Sequence, residues 1–499
     1  MDARRTLRSL GILEEGEAAP STPLLLLALL FPLGLAVATY FNFMRDGFAL
    51  DDFILLHRVT DVDILTHLRR SLALPRSLPY GGGLSSWRPL GMAYFFLARN
   101  TFGLNAAPYH VVNLVLHGLN AALLVILVIL LTRSRVAALV AGTLFVVFPA
   151  YDIGVTWISQ VFELLAAFFV LLCMVLFIVY LRTGPSSRML YWGALAAAFL
   201  ALLSKESAVF LLPALGPLLL VVEGPKVAWE SRRRNMAILA PFAVVALAFA
   251  LFMLVQEYGL DTGRTGYRLG GHLLRNYWAY LRWITFPFPS TWGSWVLPFR
   301  TAGAWLLLVG AAVAVILRRH VAIFLLLWLF LAIFPYVSFS AGTELRYTYQ
   351  ASLPFAALLA VVLAGLYQRA VRVWREAAPV ASAICLFGLV LFFSIQTRDH
   401  QEWLHIQAAG FQVLLRDVNS ECHLQPQGSV FVLNSPLFDP YGDRIPAAID
   451  LYHADISVVT ANGVQLPPLS AQIEDRCVLV YQDGRYQAVV LQQGSQLSP

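Results

Sequence analysis

Residues 108–132, PYHVVNLVLHGLNAALLVILVILLT, run for 25 positions without one Asp, Glu, Lys or Arg. As a helix rising about 1.5 Å per residue, this run spans the ~30 Å hydrocarbon core of a bilayer. Working outward, similar runs recur near 22–43, 135–150, 155–181, 188–204, 207–223, 236–256, 301–317, 320–336, 353–371 and 378–396. The chain of 499 residues therefore reads as an all-α polytopic membrane bundle of about eleven spans. Its composition agrees: 59% of residues are hydrophobic and only 13% charged, where soluble domains carry about 25% charged residues. This excludes a cytosolic enzyme, a disordered chain and a small disulfide scaffold. The formal charge of +6 does not point to nucleic acid, because only Lys205 and Lys226 are lysines and most arginines punctuate apolar segments.

Orientation follows from the basic residues, which concentrate in cytoplasmic loops. A cytoplasmic N-terminal segment, 1–21, places Arg133/Arg135, Arg182/Arg188, Lys226/Arg232/Arg233/Arg234, Arg318/Arg319 and Arg369/Arg372/Arg375 in short inner connections. Residues 44–107, 257–300, 337–352 and 397–499 then face outward, as in a prokaryotic plasma membrane. Ala36-Val37-Ala38 resembles a cleavage site, so a removed signal peptide is the alternative for the first run.

The first outer region, 44–107, is too long for a simple connection. After Asp51-Asp52, the residues Phe53-Ile54-Leu55-Leu56, Val59, Val62, Leu65 and Leu68 recur at helical spacing and predict an amphipathic helix at the interface. Gly81-Gly82-Gly83 marks a flexible loop. Residues 272–286 form a second amphipathic stretch, followed by Pro287, Pro289, Trp292 and Trp295. From about 415 to 499 the composition turns polar and predicts a small outer α/β domain. Its expected strands are 429–434, 456–461, 476–481 and 485–491, with a short helix over 445–453. It holds Cys422 and Cys477; an oxidising compartment permits a disulfide between them, the alternative being two free thiols.

Ionisable groups near spans are costly and often functional. Asp51 and Asp52 read either as helix caps or as a general base with its neighbour. Lys205-Glu206, between two apolar runs, reads either as a snorkelling hairpin tip or as a cation for a phosphate. Glu344-Leu345-Arg346-Tyr347 offers another cation, or an internal ion pair. Arg88 is a further candidate. His110, Asn113 and His117 share one helix face, for buried hydrogen bonding or for lining a cavity. They do not form a metal site, although the acid pair leaves a divalent cation open. Together these groups suit a lipid-linked phospho-sugar: an Asp takes the proton of an acceptor hydroxyl, and Lys205, Arg346 or Arg88 stabilises the departing phosphate.

Several stretches carry a family likeness. They are Asp51-Asp52-Phe53, Trp87-Arg88-Pro89-Leu90, PYHVVNLVLHGLNAALL (108–124), FPAYDIGVTWISQVFELLAAFF (148–169), LLSKESAVFLLP (202–213), LRYTYQASLPFAALLA (345–360) and RDHQEW (398–403). In order and placement they resemble the GT-C superfamily of integral-membrane glycosyltransferases, in its protein O-mannosyltransferase-like branch, over residues 22–410. The resemblance implies catalytic Asp51 and Asp52 and a polyprenyl-phosphate sugar donor. It further implies donor-phosphate contacts from Lys205 and from Arg346-Tyr347; Arg88 is a further candidate for that role, and His110, Asn113, His117, Asp152 and Glu206 are candidates for lining the cavity. No cofactor is required by this reading, and the partners are membrane lipid, the donor and an acceptor that is protein, glycan or lipid. The chain departs from the branch at Phe148-Pro149, where His-Pro is common, at Asp152, one place early, and at Val161, where an Arg is common. It also lacks tetratricopeptide repeats. Two rival readings are a non-catalytic scaffold of GT-C descent and a lipid or solute transporter.

Overall fold

The structure is a computed structural model that describes residues 22–60, 62–72, 87–259, 270–287, 293–339, 342–422, 428–440, 442–453, 456–461 and 476–489. Segment 1–21, Gly81-Gly82-Gly83, Pro289 and Trp292 lie outside the described residues. Among the described residues, eight helices are long and apolar enough to cross a membrane: Ala106–Thr132, Ile158–Thr183, Glu206–Glu223, Arg232–Phe252, Val296–Ile316, His320–Val337, Leu345–Val373 and Ala377–Glu421. The other three expected runs are helical over Thr22–Tyr40, Arg135–Val147 and Arg188–Ser204. The last two, at 13 and 17 residues, reach only about 20 and 26 Å. Ser134 starts the shorter one by accepting the Ala137 N–H at 3.2 Å. Phe148 ends it in extended backbone, as expected of a residue before proline. The next span begins with short 3₁₀ turns at Pro149–Gly154 and Ile158–Gln160 and becomes α-helical at Val161.

Packing divides the chain into two compact units that interleave in sequence. The first holds Met1–Asn42, Val112–Thr156 and Gln160–Gln401; the second holds Phe43–Val111, Trp157–Ser159 and Glu402–Pro499. The first unit is the apolar bundle, with Phe145, Val146, Leu164, Trp328 and Leu329 fully buried. A polar seam runs inside it. His117 Nδ1 meets the Tyr349 hydroxyl at 2.8 Å, Asn120 donates to the same hydroxyl at 3.1 Å, and the Tyr151 hydroxyl meets that of Tyr40 at 3.2 Å. Helix His272–Thr285 buries Asn276, Tyr280, Leu281 and Ile284 and exposes its other face, the expected amphipathic spacing.

In the second unit, the single helix expected over Phe53–Leu68 is two helices, Asp51–Val59 and Ile64–Leu72. Thr60 leaves the helical conformation, and Asp63 Oδ1 accepts the Leu65 and Thr66 N–H groups at 2.9 and 3.0 Å. An Asp in this position starts a new helix. The first of the two is not one-faced: Asp52, Phe53, Ile54, Leu55 and Leu56 are buried in succession, so it is a core element rather than an interfacial one.

The C-terminal residues form a four-stranded sheet of β1 (Ser429–Leu433), β2 (Ser457–Ala461), β3 (Arg476–Gln482) and β4 (Arg485–Ala488), in the order β2-β1-β3-β4. β1 runs parallel to β2 and β3, with Val430 opposite Val458 and Cys477; β3 and β4 are antiparallel. Asp483-Gly484 joins that hairpin with φ of 51° and 82°, the left-handed pair that a two-residue turn needs. Helix Arg444–Tyr452 connects β1 to β2. Cys422 is disulfide-bonded to Cys477 with Cα atoms 5.6 Å apart, linking the end of helix Ala377–Glu421 to β3. Cys173 and Cys385 are free.

Candidate active site

Asp51 and Asp52 open their helix, and neither caps it: the N-cap residue is Leu50, with φ of 55° and no side-chain cap bond. The two carboxylates are held differently. Asp52 is 1% exposed. Its Oδ1 accepts the backbone N–H of Ser159 at 2.9 Å and also the Ser159 hydroxyl, and its Oδ2 accepts the Ala49 N–H at 3.0 Å. Burial pushes its carboxyl up to about 7, against the pull of these three hydrogen bonds, while the neighbouring Asp51 charge adds a little to the rise. Trp157 Nε1 donates to the Ala49 carbonyl at 3.3 Å. Asp52 thus ties the turn at 49–52 to the turn at 157–159.

Asp51 keeps more freedom. Arg444 Nε donates to its Oδ1 at 2.8 Å, and Nη2 is ion-paired with the same oxygen at 2.7 Å. Among the described residues no hydrogen bond reaches Oδ2. Arg444 Nη1 donates to the Phe438 carbonyl at 2.9 Å, and its guanidinium lies 5.1 Å from the Phe438 ring centroid. One turn and a half further along both helices, His57 Nε2 meets Asp450 Oδ2 at 2.7 Å. A cavity of about 220 Å³ on the Phe53 side of this helix is lined by Arg45, Asp46, Phe48, Asn105 and Gln412 among others, but by neither acid.

The first unit carries a cationic cluster. Lys205 ends helix Arg188–Ser204 in extended backbone, with φ −158° and ψ 135°. It is 4% exposed, and its ammonium is ion-paired with Glu163 Oε2. Tyr336 donates to the same oxygen at 2.8 Å. The ammonium lies 5.5 and 5.4 Å from the ring centroids of Tyr336 and Tyr347, and those rings stack at 4.6 Å. Arg346 lies 5.0 Å from the Tyr347 ring, donates to its hydroxyl at 3.2 Å and is ion-paired with Glu344. Tyr347 is therefore the surface shared by both cations.

The remaining expected residues spread out. Arg88 stands just before helix Pro89–Phe102, and Glu206 opens the 3₁₀ turn Glu206–Phe210. Asp152 lies on the turn Pro149–Gly154. His110 Nε2 meets the Asp46 carbonyl at 3.1 Å, Asn113 donates to the Val155 carbonyl at 3.2 Å, and His117 joins the polar seam. These three serve buried hydrogen bonding. Among the described residues no group of three His, Cys, Asp or Glu side chains is placed to hold a metal ion.

Sequence reasoning missed Glu163, Tyr336, Ser159 and Arg444. Glu163 had a signal, being a lone acid inside the apolar run FELLAAFF. Ser159 and Arg444 had none, since each meets its acid only through tertiary folding.

No protein-family model matches the chain. It is 31% identical over 182 residues to Drosophila melanogaster Protein O-mannosyl-transferase Tmtc1, covering 35% of this chain and 20% of that protein. With Tmtc2 of the same fly it shares 32% over 189 residues, 36% of this chain and 20% of that protein. The chain thus spans about a fifth of the length of these curated relatives. In structure it matches ArnT from Cupriavidus metallidurans in the apo state, with a TM-score of 0.51 at 13% identity, over 86% of this chain and 85% of that one. The chain is thus a multi-pass membrane protein that shares the fold of ArnT and, over about a third of its length, is similar in sequence to two O-mannosyl-transferases.

Proposed function

We propose that this protein is a membrane glycosyltransferase that moves a sugar from a polyprenyl-phosphate-linked donor to an acceptor hydroxyl, with inversion, on the outer face of the membrane. The observation that carries this reading is Asp51: a carboxylate anchored through one oxygen, with no hydrogen bond to its other oxygen among the described residues. The likeness to the two O-mannosyl-transferases supports the reaction class.

In this reaction Asp51 Oδ2 accepts the proton of the acceptor hydroxyl as that oxygen bonds to the anomeric carbon. The bond from the anomeric carbon to the phosphate oxygen breaks and its electron pair leaves with the lipid phosphate. A phosphate leaves as a stable anion, so no general acid is needed, and a single displacement inverts the carbon. Asp52, with both oxygens occupied by inward donors, acts as a positioning residue for the helix start. Lys205 and Arg346, arrayed on Tyr347, supply fixed positive charge for the donor phosphate. Arg88 adds a further cation in the same role. The acceptor is a protein, glycan or lipid hydroxyl.

The test is sugar transfer by the purified full chain in proteoliposomes containing a polyprenyl-phosphate sugar. Asp51→Asn is expected to lower turnover by about 10²–10⁴-fold. Undiminished transfer in that variant sinks the base assignment. Transfer by the wild type from nucleotide sugars, with none from any polyprenyl-phosphate donor, sinks the donor class.

A further inference from the structure

The C-terminal helix Arg444–Tyr452 lies 385 positions or more beyond the helix that carries the acids, and sequence alone gives no reason to join them. We propose that Arg444 is a positioning residue for Asp51, so that the C-terminal module completes the acid side of the site and selects Oδ2 as the proton acceptor. This rests on the reading of Asp51 as the base.

A guanidinium usually meets a carboxylate fork to fork, one donor on each oxygen. Here Nε and Nη2 converge on Oδ1 alone, at 2.8 and 2.7 Å. That geometry gathers both guanidinium nitrogens on one oxygen, and among the described residues no hydrogen bond reaches the other. The guanidinium is oriented independently of Asp51, by the Phe438 carbonyl at 2.9 Å and the Phe438 ring beneath it. Its backbone is fixed as well. Asp439 Oδ1 accepts the N–H groups of Asp443 and Arg444 at 3.0 and 3.1 Å, and Oδ2 accepts that of Ile445 at 3.1 Å, so one acid organises the start of the helix. The His57–Asp450 contact is a separate meeting point of the two helices, at their other ends and away from Asp51.

Burial argues that the pair is built rather than incidental. The side chains of Arg444 and Asp51 are 7% and 15% exposed, and an unpaired charge at such depth is costly. Other charges lie close by: Arg58 lies near both Asp443 and Asp51, and Asp443 lies near Asp439, Arg444 and Asp51. Arg444 donates directly to Asp51. Orientation of a reacting group is worth much in rate, because a misplacement of about 1 Å costs about 10²-fold.

The experiment uses the full chain in proteoliposomes with a polyprenyl-phosphate sugar, comparing Arg444→Ala, Arg444→Lys, Asp450→Asn and Asp51→Asn. Formation of the Cys422–Cys477 disulfide serves as the folding check. Arg444→Ala is expected to lower kcat by about 10²-fold with little change in donor KM, and added methylguanidinium is expected to restore part of the rate. Arg444→Lys keeps the charge but not the planar guanidinium that meets Oδ1 and is expected to fall between. Asp450→Asn, which loosens the helix pair without touching Asp51, is expected to keep wild-type turnover. Wild-type kcat in Arg444→Ala, beside an inactive Asp51→Asn, overturns the proposal and leaves the base reading standing. Equal losses in Arg444→Ala and Asp450→Asn without methylguanidinium rescue also overturn it, by assigning Arg444 to docking alone. Full activity in both Asp51→Asn and Arg444→Ala overturns the base reading itself.

Discussion

At the scale of single residues, adjacent acids have opposite environments, and Asp52 makes a stability prediction. Its carboxyl titrates near 7 in the fold, against about 3.9 in an unfolded chain. Between those values the folded chain keeps a proton that the unfolded chain has lost. Stability is therefore expected to fall as pH rises through that window, by up to about 4 kcal/mol from this group, and to level off above it. Thermal unfolding in detergent at pH 5 and pH 8 measures this slope, and Asp52→Asn is expected to lack it. The same variant points an amide donor at a backbone N–H, because both carboxylate oxygens accept from backbone; a loss of about 1–3 kcal/mol is expected. In the cationic cluster, Glu163→Gln removes the buried carboxylate that is ion-paired with Lys205, at a cost of about 3–5 kcal/mol. Melting temperatures of the variant and wild type check it. Lys205 stood out in the sequence because lysine is so scarce here. Glu163, 42 positions earlier, is a lone acid in an apolar run, but its pairing with Lys205 was not legible, because an ion pair between two helices has no sequence spacing of its own.

At the scale of elements, local chemistry was legible where it is local. All four strands and the helix between β1 and β2 fall within a few residues of their expected bounds. Gly484→Ala forces a Cβ into left-handed backbone and is expected to cost about 1–2 kcal/mol, read as greater protease sensitivity of the C-terminal module. The split of the helix after Val59 was not anticipated, because apolar spacing continued across it to Leu65. The decisive residue is Asp63, whose side chain satisfies two N–H groups of a new helix. Asp63→Ala is expected to speed hydrogen exchange at Leu65 and Thr66, whose N–H groups lose their acceptor. The short helices Arg135–Val147 and Arg188–Ser204 show the same limit: hydropathy marks a run, while Pro149 and the extended Lys205 backbone set where its helix stops.

At the scale of the whole molecule, the chain returns to one unit from three separate stretches. The Cys422–Cys477 bridge closes a span of 55 residues, and Cys477→Ala is expected to destabilise the second unit by about 2–5 kcal/mol, measured as a lower unfolding temperature with and without reductant. By itself the sequence determined the membrane class, the apolar runs and the C-terminal strands. Each of these follows from hydropathy, periodicity or turn chemistry within some twenty neighbouring residues. Only the tertiary structure decided the roles of the charges. Asp52 is held by Ser159, 107 positions on, and Asp51 by Arg444, 393 positions on. The physical reason is that a carboxylate's chemistry depends on burial and on the donors around it, and those are brought to it by the fold.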